Sequence, residues 1–105
     1  MTVVRPSLRV AVLASLLLAA CDAPPPPALR VGLIGVFDGS ARTSSGLPAR
    51  SAARMAVDEL NAAGGVIING VSHRVVLVER ESASRPDAAA AAARALFNLD
   101  SVDVV

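Results

Sequence analysis

The stretch that decides the fold spans residues 29–65 and reads LRVGLIGVFDGSARTSSGLPARSAARMAVDELNAAGG. It opens with a short apolar run and passes through a loop of small and polar residues at 38–46. A helical pattern follows over 47–63, and Gly64 and Gly65 close it. An apolar strand, a loop and an amphipathic helix form the opening of a βαβ unit. Because open α/β sheets bind ligands at the carboxyl ends of their strands, this long loop is a candidate binding loop.

The rest of the chain continues the alternation of strands and helices. Asn69-Gly70, set between apolar residues, favours a type I′ hairpin turn ahead of the second strand. Pro86 suits the first turn of the second helix. The pattern predicts an α/β fold in three α/β/α layers, incomplete after its third strand, with a parallel sheet covered on both faces. The expected strands are 30–37, 74–80 and 102–105, and the expected helices are 47–63 and 86–99.

The first predicted helix has an apolar face and a polar face. Its apolar residues recur at spacings of three and four, which places them on one side of the helix. These residues are Ala49, Ala53, Ala56, Val57, Leu60 and Ala63. The polar residues on the other side are expected to form a solvated surface; they are Arg50, Arg54, Asp58 and Asn61.

Residues 1–21 have the parts of a signal peptide, with Arg5 and Arg9 ahead of an eleven-residue apolar segment. That segment is too short to cross a bilayer. The end of the segment resembles the lipobox of bacterial lipoproteins, formed by Leu18, Ala19, Ala20 and Cys21. In that family the cysteine is diacylated and becomes the first mature residue. An ordinary signal peptide with a chance cysteine is the alternative.

Residues 22–28 follow as a proline-rich, semi-rigid linker, and residues 29–105 form the folded part. The resemblance to lipoproteins implies an extracytoplasmic protein, held by its lipid on the outer face of the cell membrane.

Composition and motifs argue against several functions. The net charge is +1, and no basic patch with interleaved aromatic residues exists, so nucleic acid is not an expected partner. Cys21 is the one cysteine and His73 the one histidine, so neither an internal disulfide nor a metal site is expected. Glycine motifs for nucleotides are absent, and no Ser/His/Asp set is available. We therefore expect no cofactor and no enzymatic activity.

Several short motifs occur along the chain in a fixed order and spacing. The first predicted helix ends in AVDELNAAGG at 56–65, and ING follows at 68–70. Glu79 and Glu81 close the second strand, RPDA opens the second helix, and DVV begins the third strand at 103–105. In this order and spacing the chain resembles the type I periplasmic binding proteins. The likeness is specifically to the branched-chain amino acid (Leu/Ile/Val-type) solute-binding proteins of ABC importers.

The resemblance implies a Rossmann-like first lobe of a two-lobed solute-binding subunit, with ABC permease subunits as partners. Its expected ligand is a branched-chain-type amino acid or a related small amide. Because relatives have two lobes and a hinge, we expect this chain to be an amino-terminal fragment. The charged residues Asp38 and Arg42 depart from the family's loop and leave the substrate class open. A ligand-sensing receptor on the same fold, or a truncated fragment without function, is the alternative.

The loop at 38–46 is the expected contribution of this chain to the ligand site. Its predicted ligand-binding residues are Ser40, Thr43, Ser44, Ser45 and Gly46. The hydroxyl groups can bond a polar ligand, and the start of the following helix is expected to present free N–H groups to a carboxylate. The resemblance places Ser45 where a ligand-facing side chain is often found. A solvated loop that only turns the chain is the alternative.

Overall fold

The computed structural model describes residues 23–39 and 42–105, and of residues 42 and 43 it describes the backbone. The predicted lipobox, 18–21, and Ser40 lie outside the described residues. The elements are β1 (Leu29–Gly35), a π-turn (Arg42–Gly46), α1 (Leu47–Ala62), β2 (Val66–Ile68), β3 (Val71–His73), β4 (Val75–Glu81) and α2 (Pro86–Asn98). Within the described part of the chain, no helix is long and apolar enough to span a membrane.

A parallel pair of strands forms the centre of the fold. β1 pairs with β4 in a register that runs from Leu29 opposite Val75 to Gly35 opposite Glu81. A parallel bridge joins Val31 to Val104, so a third segment runs beside β1 as well. The parallel α/β architecture predicted from the sequence is therefore confirmed.

The predicted third strand, 102–105, is reduced to this one bridge. The reason lies at Arg30, whose backbone carbonyl accepts from the N–H of Asp103 at 2.8 Å. The N–H of Arg30, however, donates to the carboxylate of Asp103 at 2.7 Å. A side chain thus occupies the position that a backbone carbonyl would take in a longer parallel ladder.

The two helices lie on opposite faces of the sheet. Successive strand residues point to opposite faces. Glu79 bonds Arg54 of α1, whereas its neighbour Arg80 bonds Asp100, directly after α2. On the α2 face Leu96 is fully buried, and a Cβ on Gly32 would lie 2.8 Å from a methyl carbon of Leu96. A glycine in β1 therefore lets α2 pack closely against the sheet.

A small antiparallel hairpin, β2–β3, precedes β4. Its turn residues Asn69 and Gly70 have φ of 50° and 79°. Positive φ at both central positions is the requirement of a type I′ turn, and the predicted hairpin is confirmed.

The polar face predicted for α1 is wrong in part. Asn61 is half-buried, while Ala49 and Ala56 are exposed. The side-chain amide of Asn61 donates to the carbonyl of Val75 at 2.9 Å, and its oxygen accepts from the N–H of Val75 at 2.8 Å. The physical reason is that small alanine side chains bind the helix weakly to the sheet, so the paired amide sets which face turns inward.

Candidate functional site

The carboxyl ends of β1 and β4 meet at one edge of the sheet, because the strands are parallel and Gly35 lies opposite Glu81. The N–H of Ser82 donates to the carbonyl of Gly35 at 2.8 Å, which extends the pairing one residue beyond β4. The chain leaves β1 at this edge and enters the loop at 38–46. The loop thus lies where open α/β sheets bind ligands.

Glu81 joins the two segments that leave the strands. One carboxylate oxygen, Oε2, accepts from the N–H groups of Phe37 at 2.7 Å and Asp38 at 3.0 Å. The other, Oε1, accepts from the N–H of Ala83 at 2.6 Å. The bond from Ala83, and those from the other backbone N–H groups, lower the pKa of Glu81, although partial desolvation opposes the shift. The carboxylate is therefore the stable form in this setting.

The structure brings part of the predicted ligand-binding set together. Ser44, Ser45 and Gly46 lie in the π-turn that leads into α1, with the two serines exposed and the glycine buried. Thr43 belongs to the same turn, and its side chain is outside the description, as is the whole of Ser40. The hydroxyl-bearing residues 43–45 are thus consecutive in one turn.

Gly46 is packed against the end of the first strand. A Cβ at this position would overlap the backbone carbonyl oxygen of Val36. Gly46 has φ −67° and ψ −52°, which any residue adopts in a helix, so close approach and not conformation requires the glycine. The π-turn is consequently held close to the carboxyl end of β1.

The start of α1 differs from the prediction. The sequence suggests a helix that begins directly from a loop and leaves its first N–H groups free. Instead the chain is already wound as a π-turn over Arg42–Gly46, in which N–H groups bond carbonyls five residues earlier. Pro48, in the first turn of α1, has no N–H to offer a ligand.

Two arginines of α1, which the sequence pattern placed only on a solvated surface, lie beside the site. The guanidinium carbon of Arg50 lies 5.1 Å from the centre of the Phe37 ring, a cation–π distance. Arg54 donates two hydrogen bonds to the carboxylate of Glu79, at 2.6 and 2.8 Å. The spacing of four residues between the arginines was the available signal, since it places both on one helix face.

The comparisons with known proteins agree with this geometry. A family model described as periplasmic binding protein matches residues 28–105, and the chain belongs to that family. The family prediction from the sequence is thus confirmed, as is the α/β fold class.

One solved structure of similar fold is the branched-chain amino acid transporter substrate-binding protein LivJ from Streptococcus pneumoniae, in complex with isoleucine. It is 29% identical to this chain, with a TM-score of 0.63 over 73% of the chain. The matched region spans 21% of that protein's chain. Among curated proteins, no sequence matches this chain significantly.

Proposed function

We propose that this chain forms part of an extracytoplasmic solute-binding protein, in which the loop at 38–46 is one wall of the ligand site. The observation that carries the proposal is the position of this loop. It leaves the carboxyl end of a parallel strand, and contacts at Gly46 and Glu81 hold it there. Membership of the periplasmic binding protein family supports the same role.

The proposed ligand is an amino acid of the branched-chain type or a related small amide. LivJ, which binds isoleucine, supports this class through its identity of 29% over most of this chain. The hydroxyl-rich turn at 43–45 is suited to a ligand with a polar head group. Transfer of the ligand to the permease subunits of an ABC importer completes the proposed function.

The test is isothermal titration of the mature, full-length gene product with a panel of amino acids and amides, including isoleucine. Ser45→Trp, combined with Ser44→Ala, places a large ring in the proposed site and removes a hydroxyl. We expect the affinity for the best ligand to fall at least about tenfold, a loss of about 1.4 kcal/mol. Ser51→Trp is the matched control, because Ser51 is exposed on α1 outside the loop.

An unchanged affinity in the Ser44/Ser45 variant would exclude this loop from the site. If Ser51→Trp lowered the affinity by the same amount, the cause would be the size of the tryptophan side chain and not its position in the loop. A protein that binds none of the panel would contradict the proposed ligand class.

We also propose that Cys21 carries a lipid that tethers the protein to the membrane. The support is the order of basic residues, apolar segment, Leu18-Ala19-Ala20 and cysteine. Two acyl chains hold a protein firmly, whereas one gives marginal binding. Cys21→Ser should therefore abolish labelling by a fatty-acid analogue and release the protein into the soluble fraction. Retained labelling in that variant would contradict the proposal.

A further inference from the structure

Glu81 lies between the two chain segments that leave the sheet at the candidate site. Its two carboxylate oxygens are divided between them. Oε2 accepts from Phe37 and Asp38, which lie after β1, and Oε1 accepts from Ala83, which lies after β4. A single side chain therefore fixes the entrance of the ligand loop relative to the neighbouring loop.

The segment after β4 has a backbone that needs such support. Ala83 and Ser84 have φ of 52° and 56°, the left-handed region that residues with a Cβ avoid. Two such residues in succession persist only where surrounding bonds over-determine them. The bonds here are the N–H of Ala83 to Glu81 and the N–H of Arg85 to the carbonyl of Ser82 at 3.0 Å.

From this geometry we infer that Glu81 is a positioning residue of the ligand site. It does not touch the ligand; it sets where residues 37 and 38 begin the loop at 38–46. The inference rests on the proposed function, because it assigns to Glu81 the placement of that function's binding loop.

Glutamine cannot replace this carboxylate. A carboxylate accepts hydrogen bonds at both oxygens, whereas a glutamine amide has one accepting oxygen and an NH₂ group that only donates. In Glu81→Gln the NH₂ group would face an N–H donor on one side. One of the two segments must then lose its bond to residue 81.

The experiment compares Glu81→Gln with Glu59→Gln in the mature, full-length gene product. Glu59 is the matched control, because it is an exposed glutamate of α1. Two readouts are taken: amide hydrogen exchange at Phe37, Asp38 and Ala83, and titration with isoleucine. In Glu81→Gln we expect exchange to accelerate at the amides of the segment that loses its bond, either Phe37 and Asp38 or Ala83, and affinity to fall, each by about tenfold. Glu59→Gln should leave both readouts unchanged.

A second variant separates positioning from simple loss of stability. Glu81→Gln with Ala83→Gly and Ser84→Gly removes the cost of positive φ, because glycine adopts this conformation freely. We expect this variant to regain stability to urea while the exchange that Glu81→Gln accelerated stays fast and the isoleucine affinity stays low. Affinity that returns together with stability would overturn the inference, since Glu81 would then only stabilise the fold.

The exchange readout also distinguishes failure of the inference from failure of the proposed function. Unchanged exchange at all three amides, Phe37, Asp38 and Ala83, in Glu81→Gln overturns the inference whether or not isoleucine binds. If the unsubstituted protein binds no isoleucine, the proposed ligand is wrong. Accelerated exchange then still supports Glu81 as the residue that positions the loop, and unaccelerated exchange refutes it.

Discussion

At the scale of single residues, Gly46 shows how a loop can depend on the absence of a side chain. Its backbone angles are those of an α-helix, where alanine is normally preferred. Its Cα nevertheless faces the carbonyl of Val36 so closely that a Cβ would overlap the oxygen. Gly46 is one of the ligand-binding residues predicted from the sequence, and in the structure it lies close to the protein's own backbone.

We expect Gly46→Ala to lower the free energy of unfolding by about 3 kcal/mol, because the π-turn must move away from β1. Urea denaturation measures this change. Gly39→Ala is the control: Gly39 has a φ of 81° with nothing within 4 Å of an added Cβ, so the cost is only conformational, about 1 kcal/mol. A Gly46→Ala protein as stable as the parent would contradict the packing described for this turn.

At the scale of elements, α1 is joined to the sheet by an amide as well as by apolar contacts. α1 has no fully buried residue. Asn61 forms two hydrogen bonds with the backbone of Val75, the buried first residue of β4. This pairing resembles that of a neighbouring strand and aligns the end of α1 with the start of β4.

Asn61→Ala should therefore cost about 2–4 kcal/mol, because it leaves a backbone donor and an acceptor unpaired in a partly buried position. The measurement is again the free energy of unfolding in urea. Asn98→Ala serves as the control, since Asn98 is exposed at the end of α2, and a change within about 0.5 kcal/mol is expected. Similar small losses in both variants would show that the Asn61 bonds contribute little.

At the scale of the whole molecule, two carboxylates join segments that are distant in sequence. Asp100 accepts two hydrogen bonds from Arg80, at 2.7 and 2.8 Å, and so ties the end of α2 to β4. The bond from Arg80 lowers the pKa of Asp100, and desolvation partly opposes this shift. Glu81, whose pKa is also lowered, ties the loop after β1 to the loop after β4.

The lowered pKa values predict the acid stability of the fold. A carboxyl group with a lower pKa in the folded state stabilises the fold above its unfolded pKa, about 4. That stability is lost as the pH falls through the folded pKa. We expect the urea midpoint to hold between pH 7 and 5 and to fall below about pH 4.

Asp100→Asn tests this acid dependence, because it removes one of the two shifted groups. The variant should be less stable at pH 7 and lose less further stability on acidification than the parent. Asp87→Asn is the control, since Asp87 is exposed and its bond from Arg85 is long, at 3.3 Å. An acid profile of Asp100→Asn that parallels the parent would contradict the role of the Arg80–Asp100 pair.

The local features of this protein were predictable from its sequence. The periodicity at 47–63, the Asn69-Gly70 turn and the proline at the start of α2 each predict an element that the structure contains. Such signals depend on residues within a few positions of one another, so neighbouring side chains and backbone angles suffice to determine them. The place of the loop at 38–46 followed from the same reasoning, because a strand followed by a helix puts its loop at the carboxyl edge.

Only the tertiary structure decided which residues hold that edge together. Glu81 bonds Phe37 and Asp38, which lie 44 and 43 residues away in sequence, and no local sequence pattern predicts such a bond. The inward face of α1 was likewise decided by Asn61 meeting Val75, because a helix rich in alanine has little apolar area to orient it. Apart from the third strand, which is reduced to one bridge, the sequence by itself determined the strands and helices and their order. The contacts between elements were decided by backbone N–H and C=O groups that the strands and helices leave unpaired. Each such group, when buried, must find a hydrogen-bond partner.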